Sequence, residues 1–261
     1  MTAMKFLDLF AGIGGFRTGM EAAGHECVGF CEYDNYAVAS YTSMYLITDE
    51  QREYLATLPL KKRQKEILKE EYRNGEWYEK DIRAVNARNV PRADIWCFGA
   101  SCQDFSVAGQ RKGLDGDRSS LVREVFRIIR EIDEEDRPQW LIYETVKGML
   151  SSNGGKDFLA ILTEMDELGY DAEWSLFNSK DWGVPQSRER VYTVGHLRRY
   201  GPKEIFPLKG ADGNNSVPIK WIAHSKNFRR YNETYDPSGI VECLDTGSGG
   251  GHNPYVPVEY P

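Results

Sequence analysis

The sequence contains no apolar run of membrane-spanning length and no apolar core of a secretory signal peptide at its start. Its five cysteines are odd in number, which argues against a disulfide framework and fits free thiols in a reducing compartment. We therefore expect a cytoplasmic protein and no membrane partner.

Paired metal-ligand spacing is also missing. Cys27 and Cys31 lie near His25, but they fall in a strand pattern, so we predict no metal site. The formal net charge of −7 argues against indiscriminate binding to polyanions. This net charge is compatible with a local basic groove, because a partner responds to the charges of the surface that it contacts.

The N-terminal residues have the pattern of a βαβ unit. Residues 5–10 predict a buried strand, residues 11–16 a glycine turn into a helix, and residues 26–31 a second strand that ends at Glu32. Glycines let the backbone approach an adenosine-type ligand, and an acid after the second strand can accept both ribose hydroxyls. A dinucleotide oxidoreductase is an alternative, although the turn lacks the G-x-G-x-x-G spacing.

Alternating strand and helix patterns up to residue 196 predict a doubly wound, mostly parallel α/β sheet, and we assign 1–196 to a catalytic domain. Residues 50–80 carry eight Lys/Arg and seven Glu, which predicts an exposed helical insertion. Residues 197–261 form an irregular segment with little periodicity. Its first part, 196–230, is locally basic, as a surface that follows a phosphate backbone would be; a solvated surface with counter-ions is the alternative.

Four chemically suited side chains are expected at strand ends. Residues 93–97 predict a buried strand, and Cys102 follows it at the edge where ligands bind in open α/β sheets. Glu144 follows another strand pattern, and Arg188 and Arg190 precede a third. A thiol with a carboxyl group and arginines, but no histidine base, suits attack on an electron-poor ring better than proteolysis. A buried structural cysteine is the alternative for this stretch taken alone.

Four stretches of the chain resemble, in order and spacing, the motifs of DNA cytosine-5 methyltransferases: Asp8-Leu9-Phe10-Ala11-Gly12-Ile13-Gly14-Gly15, Cys102-Gln103, Glu144-Thr145-Val146 and Gln186-Ser187-Arg188-Glu189-Arg190. The resemblance covers roughly residues 4–196. It implies a Rossmann-like methyltransferase fold, S-adenosylmethionine as the donor and a cytosine flipped out of duplex DNA as the substrate. It also implies a bacterial or phage enzyme of restriction-modification or self-protection.

The resemblance assigns the catalytic roles. Cys102 would attack C6 of the cytosine, and Glu144 would protonate or hydrogen-bond N3 and the amine. Arg190 would hold O2, and Arg188 would brace the cysteine loop. C5 would then take the methyl group, and water or hydroxide would remove the C5 proton before the thiol departs.

The resemblance also assigns two sets of binding residues. In the cofactor pocket Phe10 would pack on the adenine, Glu32 would bind the ribose and Tyr33 would flank the adenine ring. The other cofactor-binding residues would be Asp8, Gly12, Gly14, Gly15, Asp81, Ile82, Gly99 and Leu121. Residues 106–118 would close on DNA, and the DNA-binding residues would be Gln103, Ser106, Val107 and Arg118.

Three departures from the family pattern modify these expectations. Ser101 replaces the usual proline, which predicts a looser cysteine loop. Thr145 replaces the usual asparagine, which predicts a modest loss of activity, with tolerance of a bulkier or more polar donor as the alternative. The family's last motifs are missing after a partial target-recognition region at 197–261. This indicates either a truncated chain or a split form in which a second polypeptide supplies the rest for full activity.

Two further readings stay open. A cofactor-binding relic with weak or no catalysis could act as a DNA-binding or interaction module. The four polar residues Cys102, Glu144, Arg188 and Arg190 favour the enzyme, because a relic has no physical need for that set. A flipped cytosine looks alike in DNA and RNA, so methylation of RNA is the other reading.

Overall fold

A computed structural model describes residues 2–99, 121–183, 185–201 and 203, together with the backbone of three short strands at 221–223, 234–235 and 241–242. The chain divides into two compact units. The first is Met1–Trp174 with Tyr192–Glu204, and the second is Ser175–Val191 with Ile205–Pro261. Residues 175–191 thus belong to the second unit, whereas the sequence pattern groups them with the catalytic domain.

The strands and helices follow the predicted alternation. The strands are β1 Lys5–Leu9, β2 Glu26–Cys31, β3 Trp77–Glu79, β4 Ile95–Phe98, β5 Trp140–Val146, β6 Tyr170–Asn178, β7 Gln186–Ser187, β8 Glu189–Leu197, β9 Trp221–Ala223, β10 Thr234–Tyr235 and β11 Val241–Glu242. The helices are α1 Gly15–Ala22, α2 Asn35–Tyr45, α3 Asp49–Thr57, α4 Leu60–Glu66, α5 Leu121–Glu131 and α6 Lys156–Glu167.

Seven strands form the main sheet in the order β3-β2-β1-β4-β5-β8-β6. The pairs from β3 through β5 are parallel. β8 runs against β5, because the Leu197 amide donates to the Gln139 carbonyl at 2.9 Å while Gly195 lies beside Leu141. The prediction of a doubly wound, mostly parallel sheet is confirmed. The order reverses between β1 and β4, which is where open α/β sheets bind ligands at their carboxyl edge.

The beginnings and ends of the first helices have local causes. Asp34 caps α2, since its carboxylate accepts from the amides of Tyr36 at 2.8 Å and Ala37 at 2.9 Å. Gly24, with φ of +86°, follows α1 and has the left-handed conformation that is common after the end of a helix. α5 carries an apolar stripe, since residues at helical spacing are all buried: Val122, Val125, Phe126, Ile128 and Ile129.

The insertion at 50–80 is largely helical, as predicted, but it is not simply an exposed surface. Leu55, Ile67 and Tyr72 are buried together in a small apolar cluster of their own. The prediction of exposure rested on the near-equal charges, and it missed that sparse apolar residues can converge once α3 and α4 fold back on each other. Residues 77–79 of this stretch form β3 at the sheet edge.

Across the described ranges, no helix has the length and apolar character needed to cross a bilayer.

Candidate functional site

The turn between β1 and α1 has an unusual backbone. Phe10, Gly12 and Gly14 have φ angles of +57°, +56° and +92°. The two glycines adopt this left-handed conformation without a steric penalty, whereas Phe10 adopts it at a cost of about 1–2 kcal/mol. Strain held at a non-glycine residue is typical of a functional turn. Phe10, Gly12 and Gly14 are three of the predicted cofactor-binding residues.

Glu32 ties this turn to the end of β2. Its Oε2 accepts from the Gly12 amide at 2.8 Å, and its Oε1 accepts from the Asp34 amide at 2.8 Å. The Ala11 amide donates to the Cys31 carbonyl at 3.0 Å. An ionised carboxylate has about four acceptor positions, so these two amides leave acceptor capacity for the hydroxyl groups of a ribose. The side chain is half-buried and rigidly oriented.

An exposed aromatic ring lies next to Glu32. The side chain of Tyr33 is 64% exposed, and the ammonium group of Lys80 lies 5.3 Å from the centre of its ring. An accessible ring beside a glycine turn can stack on a purine base. The ring of Tyr33 is thus accessible, and its contact with an adenine stays a prediction.

Asp81 follows β3 and is held by Arg83. Its carboxylate accepts from the Arg83 amide at 3.0 Å and from Nη2 of the guanidinium at 2.6 Å. These hydrogen bonds to Arg83 lower the pKa of Asp81, so the group is ionised at neutral pH and can accept from an amine. Ile82 is buried, so its predicted role at the adenine edge rests on its backbone.

Asp8 lies inside the fold, behind the glycine turn. Its side chain is 0% exposed. Burial raises the pKa of Asp8 to about 8, although the nearby Arg17 amide and guanidinium act in the opposite direction. Within the described ranges no group meets hydrogen-bond geometry with either carboxylate oxygen. Asp8 is thus a buried acid under the turn, and its direct contact with a cofactor stays a prediction.

Glu144 lies against the chain that leads to the predicted nucleophile. Leu9, Phe98 and Tyr143 are paired across β1, β4 and β5. Gly99 and Glu144 each follow one of these paired residues, so they lie side by side at the next position along the direction of β4 and β5. A Cβ on Gly99 would lie 2.9 Å from Oε2 of Glu144. A side chain at position 99 would therefore require the Glu144 carboxylate to shift from this position. Glu144 is inside β5, two residues before its end, rather than after the strand as predicted.

The thiols of the described cysteines are poor nucleophiles. Burial raises the pKa of Cys27 to about 11, and it raises the pKa values of Cys31 and Cys97 as well. A thiol is reactive as the thiolate, which such shifts suppress at neutral pH. Of the five cysteines, Cys102 and Cys243 lie outside the described residues.

The other predicted site residues lie in different parts of the chain: some in the second unit, some in the first, and some outside the described residues. Arg188 and Arg190 lie in the second unit, where the Arg188 amide donates to Asn178 Oδ1 at 3.0 Å and Arg190 Nη1 donates to the Glu189 carbonyl at 2.7 Å. Their convergence with Glu144 stays a prediction.

Three predicted residues lie in strands or helices of the first unit. Thr145 is fully buried in β5. Gly15 and Leu121 are the first residues of α1 and α5. The predicted residues outside the described ranges are Ser101, Cys102, Gln103, Ser106, Val107 and Arg118.

The sequence analysis missed residues that support the glycine turn from behind. Arg17 of α1 is buried in the first unit. Its Nη1 forms an ion pair with Glu76 at 2.7 Å. Tyr45 of α2 contacts Gly14. A charged residue beside Phe16 and near Met20 on the inner side of α1 was the signal, because buried cations are rare unless they are paired.

Groups of three or more metal-ligating side chains are absent from the part of the chain that the structure describes.

Known proteins share both the sequence and the fold. The family model for C-5 cytosine-specific DNA methylase matches residues 4–54 and 53–240. The chain is 34% identical over 194 residues to the type II methyltransferase M.HhaI of Haemophilus parahaemolyticus, covering 74% of this chain and 49% of that protein. It is 31% identical over 219 residues to the type II methyltransferase M.BsuFI of Bacillus subtilis, covering 84% of this chain and 45% of that protein.

A solved structure, the S. pombe Dnmt2 methyltransferase, matches with a TM-score of 0.54 and 17% identity, covering 78% of this chain and 52% of that one. This likeness supports the fold. The chain spans about half the length of the curated relatives it matches. Since the family model matches most of the chain, the chain belongs to the C-5 cytosine-specific DNA methylase family.

Proposed function

We propose that this chain transfers a methyl group from S-adenosylmethionine to C5 of a cytosine flipped out of duplex DNA. The observation that carries the proposal is the contact between Gly99 and Glu144. This contact places a carboxylate beside Gly99, three residues before Cys102 in the chain. It lies at the same carboxyl edge of the sheet as the glycine turn and Glu32. Bacterial or phage DNA lies in the cytoplasm, where we propose that the chain acts.

The residues around the glycine turn fit an adenosyl cofactor. Glu32 offers carboxylate oxygens to the ribose, Tyr33 offers a ring face to the adenine, and Asp81 offers an ionised acceptor to the exocyclic amine. S-adenosylmethionine supplies the electrophilic methyl group when it is bound. The protein's own task on this side is to bind and orient, since the turn is already held by β2 before a ligand arrives.

Cys102 and Glu144 act on the base. The Cys102 thiolate forms a bond to C6 of the cytosine, while Glu144 donates to N3 and accepts from the amine, so that the electron pair of the C5–C6 bond becomes available at C5. C5 takes the methyl group as the methyl–sulfur bond of the donor breaks, and S-adenosylhomocysteine is the leaving group. Water or hydroxide then removes the C5 proton, the C5–C6 double bond returns, and the C6–S bond breaks to release the thiolate. We propose that Arg190 holds O2 of the base and that Arg188 braces the cysteine loop.

Trapping on a modified substrate tests this chemistry. Duplex DNA with 5-fluorocytosine blocks the last step, because fluorine at C5 cannot leave as a cation. Wild-type protein with S-adenosylmethionine should therefore form a covalent adduct, visible by mass spectrometry as protein plus methylated DNA. Cys102→Ala should form none. Cys27→Ser is the matched control and should react like wild type, because its thiol has a raised pKa and no part in the reaction.

The assay should be run with this chain alone and with the protein encoded next to it, because full activity is proposed to need a second polypeptide. Adduct only in the mixture supports the split form. No adduct in either arm would contradict the enzymatic proposal and favour the cofactor-binding relic. Competition by unmodified duplex DNA, but not by tRNA, is expected if DNA is the substrate.

A further inference from the structure

We propose that Tyr45 and Thr18 are positioning residues for the glycine turn: their hydroxyl groups hold the Gly14 carbonyl and thereby aim the Gly15 amide at the carboxylate of the cofactor. The inference rests on the proposed use of S-adenosylmethionine and deepens it. Neither residue lies in the motifs that the sequence analysis singled out.

The Gly14 carbonyl is the centre of a compact hydrogen-bond group. It accepts from Tyr45 Oη at 3.0 Å, from Thr18 Oγ1 at 3.0 Å and from the Thr18 amide at 2.9 Å. The two hydroxyl groups lie 2.6 Å apart, so one of them donates to the other while its neighbour donates to the carbonyl. Either hydroxyl can therefore replace the other as the donor to Gly14.

The ring of Tyr45 also fits the shape of Gly14. Gly14 has a φ of +92°, and a Cβ at this position would lie 2.4 Å from Cε2 of Tyr45. The ring thus occupies the volume that any side chain at position 14 would need. Because the ring of Tyr45 packs directly against Gly14, the turn cannot shift toward α2.

The direction of the Gly15 amide follows from planarity. The Gly14 carbonyl and the Gly15 N–H belong to one planar peptide and point in opposite directions. Gly15 is the first residue of α1 and is exposed, and the first N–H groups of a helix have no acceptor inside it. Holding the carbonyl toward α2 therefore aims this N–H into the space before the helix, where an anion is favoured. The amino-acid end of S-adenosylmethionine carries such a carboxylate.

Tyr45 is itself held from behind. The guanidinium carbon of Arg17 lies 4.9 Å from the centre of the Tyr45 ring and 5.2 Å from that of Tyr41. Arg17 is in turn ion-paired with Glu76 at 2.7 Å. The ring centres of Tyr41 and Tyr45 are 5.0 Å apart. This packing keeps the tyrosine hydroxyl in place before any ligand binds.

A double-mutant cycle tests the proposal. Tyr45→Phe and Thr18→Val each remove one hydroxyl and keep most of the side-chain volume. Because the remaining hydroxyl can still donate, each single variant should raise the Kd of S-adenosylhomocysteine by no more than about threefold, and the double variant by about tenfold, as loss of one net hydrogen bond would. Isothermal titration calorimetry of the full chain measures these constants.

A second ligand separates positioning from a loss of structure. Methylthioadenosine shares the adenosyl group but has no carboxylate, so its Kd should not differ between wild type and the double variant. A general loosening of the pocket would weaken both ligands. Tyr54→Phe, which removes an exposed hydroxyl on α3, is the matched control and should leave both constants unchanged.

The outcomes are distinguishable. Wild-type protein that binds S-adenosylmethionine, with a double variant that binds S-adenosylhomocysteine equally well, overturns this inference alone. Equal losses for both ligands also overturn it. A wild-type chain that binds no S-adenosylmethionine, either alone or with the protein encoded next to it, overturns the proposed function and this inference with it.

Discussion

The two faces of the sheet in the first unit are built differently. The face toward α5 is apolar: Phe98 packs on Phe126 of α5 with ring centres 6.1 Å apart and on Tyr143 at 5.3 Å. The face toward α1 buries polar groups near the carboxyl edge, above all Asp8 and Arg17. Alternation along β1 puts Phe6 and Asp8 on this second face and Leu7 and Leu9 on the first.

The contrast separates stability from site geometry. Apolar burial on the α5 face contributes free energy without fixing directions, because the hydrophobic effect is not directional. Hydrogen bonds and ion pairs on the α1 face do fix directions, and each one is costly if it is left unmade. The glycine turn, Glu32 and Glu144 all lie at the edge of this directional side. Substitutions on the two faces should therefore have different effects.

The largest change in stability is expected on the apolar face. Phe126→Ala removes a fully buried ring of α5 and should lower the free energy of unfolding by about 3–5 kcal/mol. Urea unfolding followed by circular dichroism measures this. Leu159→Ala on α6, where the side chain is 62% exposed, is the control and should change it by less than about 0.5 kcal/mol. Equal losses from both substitutions would contradict the assignment of the core.

The next change tests the ion pair on the polar face. Arg17→Met leaves the partly buried Glu76 without its cation and should cost about 3 kcal/mol of unfolding free energy. Adding Glu76→Gln removes the unpaired acid and should recover part of this loss, as measured by the same urea titration. Additive losses in the double variant would show that the two side chains do not depend on each other.

Gly99→Ala should affect activity more than stability. A methyl group 2.9 Å from Oε2 of Glu144 requires the carboxylate to move, and misplacement of a catalytic group costs up to about a hundredfold in rate, or about 2.7 kcal/mol. Transfer of labelled methyl groups to duplex DNA measures it. Gly19→Ala is the matched control, because nothing lies within 4 Å of the added methyl group in α1. Wild-type rates in Gly99→Ala would mean that Glu144 is not held for catalysis.

The smallest change to be measured concerns pH, over the single unit from pH 6 to pH 7. Burial raises the pKa of Asp8 from 3.8 to about 8, so between these values the native state retains a proton that the unfolded state loses. Raising the pH therefore favours unfolding, by up to about 1.4 kcal/mol per pH unit, and the effect ends above about pH 8. Asp8→Asn removes the contribution of this carboxyl group to the pH dependence of the unfolding free energy.

The measurement for Asp8 is a difference between two titrations. The unfolding free energy of Asp8→Asn minus that of wild type should rise from pH 6 to pH 7 and become constant above about pH 8. Contributions from other groups cancel in the difference. A constant difference over the whole range would mean that Asp8 is ionised in the native state.

Periodicity was enough for most of the first unit. The stripe of α5 and the glycine turn after β1 are local patterns, because a residue three or four positions along a helix faces the same side whatever the rest of the chain does. The position of Glu144 was harder. β5 continues to Val146, since pairing with its neighbours, rather than local composition, decides where a strand ends.

The sequence by itself determined the order of strands and helices, the turn and the family motifs, since each depends on neighbours along the chain. Only the tertiary structure decided that Gly99 lies against the carboxylate of Glu144, that Asp8 is buried beneath the turn, and that Tyr45 holds Gly14. These contacts join residues up to 45 positions apart. Their chemistry depends on distance in space and on burial, and a linear pattern specifies neither.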